Sequence, residues 1–426
     1  MPEHDTAFQM AASNLRVGSE ITREVGLDLL DLGARRTLLM IDPHLADLPT
    51  GHTVVESLKR AGIDYDIFTD ISVEPTDLSF AAAAEFAAAG NFDAIVAVGG
   101  GSTIDTAKAA NLYATYPADL LEYVNAPIGR GRPVPGPLKP LIAIPTTAGT
   151  GSETTGVAIF DYLEQRAKTG IAHRYLKPTL GIVDADNTRT LPPAVAAATG
   201  LDVLCHAAES YTAIPYATRI RPASPLERPA YQGRNPISDV WSLRALELTS
   251  EYILRAVRDP SDDEARGQML LAAAMAGMGF GNAGCHLPHG MSYPVSGGVR
   301  DYLPPGYDVT HPLVPHGVSV ILNAPAVFRF TAPACPERHL RAAAALGADV
   351  RDATLDDAGD VLADRVIYFM RELDIPNGLA AVGYSEADVP TLVAGTLPQH
   401  RVTKLSPRPA GEAELTDLFT SSLTCW

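Results

Sequence analysis

Asp202 and His206 stand four residues apart in "GLDVLCHAAESY" (200–211), a run that predicts helix, with Cys205 and Glu209 beside them. Four residues is just over one helical turn, so the carboxylate and the imidazole leave the same face. Alone, such a pair is more often an ordinary helix surface than a site. Two further histidine pairs change the weighing: His286 and His289 in "HLPHGMSYP" (286–294), and His311 and His316 in "HPLVPHGVSV" (311–320). One carboxylate and three imidazoles make a complete N/O donor set for Fe(II) or Zn(II). The residues themselves leave open which histidine of each pair serves.

Two glycine-rich segments suit a different ligand. "VGGGSTIDTAK" (98–108) follows a predicted strand and opens a predicted helix. Glycines there let the backbone approach a ligand, and a helix N-terminus offers free N–H groups and a positive dipole end to a pyrophosphate. The segment is neither the G-x-G-x-x-G fingerprint nor a P-loop. "PTTAGTGSET" (145–154) follows another strand, and its hydroxyls suit a second cofactor loop; an ordinary turn explains it equally well. Asp42 ends the strand "TLLMID" (37–42). There it could accept hydrogen bonds from a ribose and repel a 2′-phosphate, or simply cap the following turn.

These residues need elements to hold them. "TLLMID", "DYDIF" (64–68), "DAIVAVGG" (93–100), "LIAIPTT" (141–147) and "LGIVD" (180–184) read as strands, with helices between them such as 77–90 and 102–114. That alternation predicts a parallel sheet covered by helices on both faces. Segments 157–162 and 168–174 read as an inserted hairpin. After residue 191 the patterns are helical, at 236–258, 263–280, 338–347 and 353–373, with Pro-rich loops at 214–236 and 294–315. The expected domains are therefore 1–191, an α/β dinucleotide-binding domain, and 192–426, an all-α metal and substrate domain.

Bulk composition narrows the function classes. The chain has 426 residues, 46% of them hydrophobic and 19% charged, which fits two ordinary globular domains. A net charge of −17 argues against nucleic acid as a partner. No apolar run is long enough for a membrane span. The N-terminus reads as neither a secretory signal nor a transit peptide. Four scattered cysteines, Cys205, Cys285, Cys335 and Cys425, argue for reduced thiols, and a cytoplasmic location is expected.

The combination of "GGGSTIDTAK", "PTTAGTGSE", "GLDVLCHAAESY" and the two His-Gly segments resembles the iron-containing, group III alcohol dehydrogenases, from about residue 11 to residue 420. The likeness is closer still to one branch, the hydroxyacid-oxoacid transhydrogenases. It is carried by "MAASNLRVG" (10–18), "PLKPLIAIPTTAGTGSETTGVAIFDY" (137–162), "RPAYQGRNPISD" (228–239), "HPLVPHGVSVIL" (311–322) and "LPQHRVTKLSPRP" (397–409). The resemblance implies a dehydroquinate synthase-like fold, an α/β nucleotide domain followed by an all-α metal-binding domain. It implies a divalent metal, Fe(II) first and Zn(II) second, on Asp202, His206, His289 and His316. It implies tightly held NAD(H) at Gly100, Gly101, Ser102, Asp105, Thr146, Thr147, Thr150, Asp42, Lys168 and Leu191. Two positions depart from the pattern. Tyr293 stands where many members have a histidine close to nicotinamide and substrate, and joins the four ligands as a candidate catalytic residue. Glu74 stands where Asn is frequent.

The implied reaction moves hydride from 4-hydroxybutyrate through the nicotinamide to 2-oxoglutarate, giving succinate semialdehyde and 2-hydroxyglutarate. The metal acts as a Lewis acid on the alcohol oxygen. Small hydroxy and oxo acids are the expected partners, in a homo-oligomer. A dehydrogenase with exchangeable NAD is the first rival, and a metal-dependent lyase of the dehydroquinate synthase type the second. Arg234, in "QGRNP", is a candidate for the substrate carboxylate because a guanidinium fork matches one.

Overall fold

The computed structural model describes residues 3–165 and 167–426. They divide into two compact units, residues 11–191 and residues 192–426 together with 3–10. The amino-terminal segment groups with the helical unit, where Asp5 pairs with Arg228 at 3.1 Å and with Arg219. The first unit thus starts at residue 11 where the sequence suggested residue 1.

The α/β unit contains eight strands: β1 (Leu15–Gly18), β2 (Arg36–Ile41), β3 (Asp64–Phe68), β4 (Ala94–Gly99), β5 (Leu141–Pro145), β6 (Val157–Tyr162), β7 (Ala167–Ala172) and β8 (Leu180–Asp184). Six form one parallel sheet in the order β1-β8-β5-β4-β2-β3, and β6 and β7 make a separate antiparallel hairpin. Helices α1 (Val25–Asp31), α2 (Pro49–Ala61), α3 (Asp77–Ala89) and α4 (Gly101–Thr115) cover the sheet. Leu39, Ile41, Val96 and Val98 pack with α1 and α2 on one face. Leu38, Met40, Ile95 and Ala97 pack with α3 and α4 on the other. The two-residue side-chain period explains this division, and burial of both faces explains why β2 and β4 are near-continuous apolar runs.

Chain direction reverses at β2. Its successor β3 lies on one side of it, and β4 lies on the other. The loops after β2 and β4 therefore leave at a topological switch point, the place where open parallel sheets form a ligand crevice beyond their carboxyl ends.

The second unit is helical: α5 (Pro193–Thr212), α6 (Pro236–Arg258), α7 (Asp263–Ala283), α8 (Leu287–Gly297), α9 (His316–Ile321), α10 (Ala324–Thr331), α11 (Pro336–Ala345), α12 (Ala358–Glu372), α13 (Val389–Thr396), α14 (His400–Thr403) and α15 (Glu412–Ser422). Helix α5 packs against α6, α7 and α9 and is buried along most of its length. Among the described residues no helix is long and apolar enough to cross a membrane. Helix α8 carries Pro294 inside it, so the Pro-rich loop expected from 294 starts only after Gly297. The helix expected from 353 starts at Ala358.

Candidate metal centre and nucleotide loops

Asp202 sits at the centre of an imidazole cluster built by three helices. Its Oδ2 is 3.7 Å from His206 Nδ1 on the same helix, α5. Its Oδ1 is 3.5 Å from His289 Nε2 on α8 and 3.9 Å from His316 Nε2 at the first residue of α9. Asp202, His206 and His289 are buried. The structure thus brings together Asp202, His206, His289 and His316. It sends the two alternative histidines elsewhere: His286 turns its Nε2 to the Thr212 hydroxyl at 3.0 Å, and His311 is exposed.

Three atoms of this cluster, Asp202 Oδ1, His206 Nδ1 and His289 Nε2, are buried without a hydrogen-bond partner among the described residues. A buried polar atom left unsatisfied is costly, and convergence of several on one point is the expected signature of a metal site. The chemistry of the donors fits. Burial pushes the His206 imidazole down to about 3, so it is neutral and offers a lone pair at ordinary pH. Burial would raise Asp202, but the surrounding imidazoles, His206 foremost, hold its carboxyl well below the usual range. Cys285 also lies within reach of His206 and His289. Burial pushes its thiol up to about 11, so in the metal-free site it is a neutral thiol near neutral pH.

Glu209, one further turn along α5, completes the arrangement and is fully buried. Its carboxylate accepts from His289 Nδ1 at 2.6 Å and from the His286 backbone N–H at 2.7 Å. That bond places the His289 proton on Nδ1 and leaves Nε2 facing Asp202. Sequence reasoning noted Glu209 as a neighbour without giving it a role. Its place seven residues after Asp202, on the same helix face, was the available signal.

The two His-Gly dipeptides have a steric reason. A Cβ on Gly317 would overlap the Ala198 carbonyl oxygen and reach 3.0 Å from Asp202 Cβ. Only glycine lets α9 close onto α5 and deliver His316. A Cβ on Gly290 would lie 2.7 Å from the Thr403 methyl, so α14 packs tightly on α8. Helix α14 carries Arg401, whose Nη2 donates to the buried Tyr293 hydroxyl at 2.6 Å. Tyr293 lies one turn after His289 on α8.

In the α/β unit, Asp42 follows β2, Gly100 follows β4 and Thr146 follows β5, all at the carboxyl edge of adjacent strands. Gly100 is the N-cap of α4. The two glycine-rich loops touch: a Cβ on Gly100 would lie 3.2 Å from Thr147, and one on Gly101 2.5 Å from the Thr150 methyl. The Asp42 carboxylate accepts the His44 backbone N–H at 2.9 Å, so it does cap its turn. Asp105 points inward: its carboxylate accepts the Ile159 N–H at 2.9 Å and the Ser152 hydroxyl. It ties α4 to the hairpin and the second loop.

Lys168 is buried on β7, 2.6 Å from Glu74 and 3.0 Å from Asp161. Burial works against its charge, yet the two carboxylates hold it above the usual lysine value. Glu74 adopts φ 54, a left-handed conformation in which Asn is favoured among non-glycine residues. Its backbone N–H donates to Ser102 Oγ at 3.2 Å, so the departure at position 74 keeps the turn and adds an ion pair. Leu191 follows the short turn after β8, its N–H donating to Thr188 at 3.0 Å.

Residues 12–185 match the family model described as iron-containing alcohol dehydrogenase. Residues 230–423 match the Fe-containing alcohol dehydrogenase family C-terminal domain. The chain is 59% identical to a Bos taurus protein named hydroxyacid-oxoacid transhydrogenase, mitochondrial, over 98% of this chain and 90% of that one. The Homo sapiens protein of the same name is 58% identical with the same coverage. A crystal structure of 1,3-propanediol oxidoreductase superposes with a TM-score of 0.84 at 27% identity, covering 98% of this chain and all of that one. The relatives are named mitochondrial, which overturns the cytoplasmic expectation. Unpaired cysteines show only that the surroundings are reducing, and more than one compartment is.

Proposed function

Because the chain belongs to the iron-containing alcohol dehydrogenase family, and is an oxidoreductase of it, we propose that it catalyses hydroxyacid–oxoacid transhydrogenation. Hydride leaves C4 of 4-hydroxybutyrate and arrives at C2 of 2-oxoglutarate, giving succinate semialdehyde and 2-hydroxyglutarate. The observation that carries the chemistry is the convergence of Asp202, His206, His289 and His316, with buried and unsatisfied atoms on the first three. The observation that selects these substrates is the near-full-length identity to proteins of that name.

In this reading a divalent metal, Fe(II) by preference and Zn(II) as the alternative, supplies Lewis-acid polarisation of the substrate oxygen while NAD(H) carries the hydride. The chain's own residues prepare the rest. Asp202 gives the site a fixed negative charge, the neutral His206 gives it a lone pair, and His289, oriented by Glu209, would offer Nε2 in exchange for a proton. Gly100, Gly101 and Ser102 present the α4 N-terminus to the pyrophosphate. Thr146, Thr147 and Thr150 form the wall opposite. Asp42 keeps a carboxylate near the ribose position, which disfavours a 2′-phosphate. Asp105 and Lys168 act by fixing the loops around the cofactor, and Leu191 borders it.

The deciding experiment omits external nicotinamide. Purified protein, 4-hydroxybutyrate deuterated at C4 and 2-oxoglutarate should yield 2-hydroxyglutarate deuterated at C2. Added unlabelled NADH should not dilute the label, and double-reciprocal plots should be parallel. Stoichiometric consumption of free NAD, with NADH released at every turnover, would instead identify an ordinary dehydrogenase.

A further inference from the structure

Arg401 is a half-buried guanidinium with no carboxylate beside it among the described residues. Its Nη2 donates to Tyr293 Oη at 2.6 Å, and its guanidinium carbon lies 5.1 Å from the centroid of the Tyr231 ring. Its Nη1 is buried and has no hydrogen-bond partner. Among the described residues no carboxylate pairs with it. Withdrawing part of a charged group from water without a partner is unfavourable. Proteins tolerate that where a ligand supplies the missing charge, and a planar fork is matched by a carboxylate.

Its position is as informative as its chemistry. Tyr293 and His289 are four residues apart on α8 and share a face. Tyr293 is therefore about 6 Å along the helix axis from a proposed metal ligand, and the guanidinium is bonded to its hydroxyl. Arg234 is placed differently. Its charged neighbours are Arg338 and Asp239, with Cys335 and Tyr211 nearby, and none belongs to the imidazole cluster.

We propose that Arg401, seated on Tyr293 and Tyr231, binds the carboxylate of the substrate that lies remote from the reacting carbon. The inference rests on the transhydrogenase reading, and it supplies something that reading needs. In 4-hydroxybutyrate the reacting C4 and the carboxyl C1 are separated by three carbon–carbon bonds. In 2-oxoglutarate the reacting C2 and the distal carboxyl C5 are separated by the same three. Three bonds of about 1.5 Å place those carbons about 4 Å apart when extended, with a C–O bond added at each end. One fixed anion anchor thus brings both substrates to the same reacting position, and the two half-reactions can share one site.

The test compares 4-hydroxybutyrate with its uncharged amide, 4-hydroxybutyramide, in single-turnover reduction of NAD-loaded, metal-replete protein. Wild type should prefer the carboxylate. Arg401→Gln should lower kcat/KM for the carboxylate by about 10²-fold more than for the amide, the scale expected when a buried charge pair loses one member. Arg401→Lys keeps the charge but not the fork and should recover part of the preference, which keeps the test open if the glutamine variant folds poorly. Binding of the unreactive dicarboxylate glutarate, measured by calorimetry, should weaken in the same order. Equal losses for carboxylate and amide, or glutarate binding unchanged in both variants, would overturn the assignment. Glutarate binding that depends on Arg401 in a protein without transhydrogenation would keep the anion site and reject the proposed reaction.

Discussion

The bond from His289 Nδ1 to Glu209 decides which nitrogen of the imidazole is available. At 2.6 Å, inside a fully buried carboxylate pocket, it fixes both the tautomer and the ring orientation. Glu209→Gln keeps the shape but weakens the acceptor and removes its charge. It should lower metal affinity by about 10- to 100-fold, the usual cost of losing such a partner, as read by competition with a chromogenic chelator. Affinity equal to wild type would reduce Glu209 to a helix-packing residue. The sequence showed some of this site and hid the rest for identifiable reasons. Asp202 and His206 are visible because their spacing alone puts them on one face. His289 and His286 cannot be told apart until α8 is placed, since each is three residues from the other in the same motif. Arg401 carries no local signal at all: its meaning arises only when α14 meets Tyr293.

At the level of elements, the strands β2, β4, β5 and β8 were legible because burial on both faces makes them near-continuous apolar runs. The edge strand β1 was not. It has four residues, "LRVG", and pairs on one side only, with β8, so nothing in its composition demands a strand. Helix α8 was hidden by its own prolines, since Pro288 sits at its start and Pro294 interrupts its last turn. The glycines after His289 and His316 were readable as residues but not as reasons, because the reason is the neighbouring helix. Gly317→Ala tests that reason. The added methyl meets backbone on α5 rather than a flexible side chain, so α9 must move away. The expected cost is about 1–3 kcal/mol of stability. Metal affinity should fall with it as His316 withdraws from Asp202, while NAD binding stays comparatively unaffected, because its loops belong to the other unit. Full metal affinity in the alanine variant would show that α9 adjusts freely.

For the whole molecule, the helical unit encloses histidines that burial keeps neutral, and this sets its response to acid. Burial pushes His286 down to about 4 and His339 down to about 4. Both rings are committed to hydroxyls, His286 to Thr212 at 3.0 Å and His339 to Thr331 at 2.9 Å. In the unfolded chain each takes a proton near its ordinary value of 6.5. Between 6.5 and about 4 the unfolded state therefore binds protons that the folded state refuses, and stability must fall as pH falls. Each histidine contributes up to about 1.4 kcal/mol per pH unit within that window. His289, held above its usual value, adds no slope there, since its contribution is already complete below 6.5. The depressed carboxyls of Asp202 and Glu209 add their loss only as pH falls below the ordinary carboxylate range. Both tryptophans, Trp241 and Trp426, lie in the helical unit, so their fluorescence reports its unfolding specifically. Urea midpoints followed by that signal should drop steadily from pH 6.5 to pH 4.5. His339→Gln, which is not among the proposed ligands, should start less stable and lose less over the same range. Parallel curves for variant and wild type would mean that His339 takes up its proton in the folded protein, and that the acid response originates elsewhere.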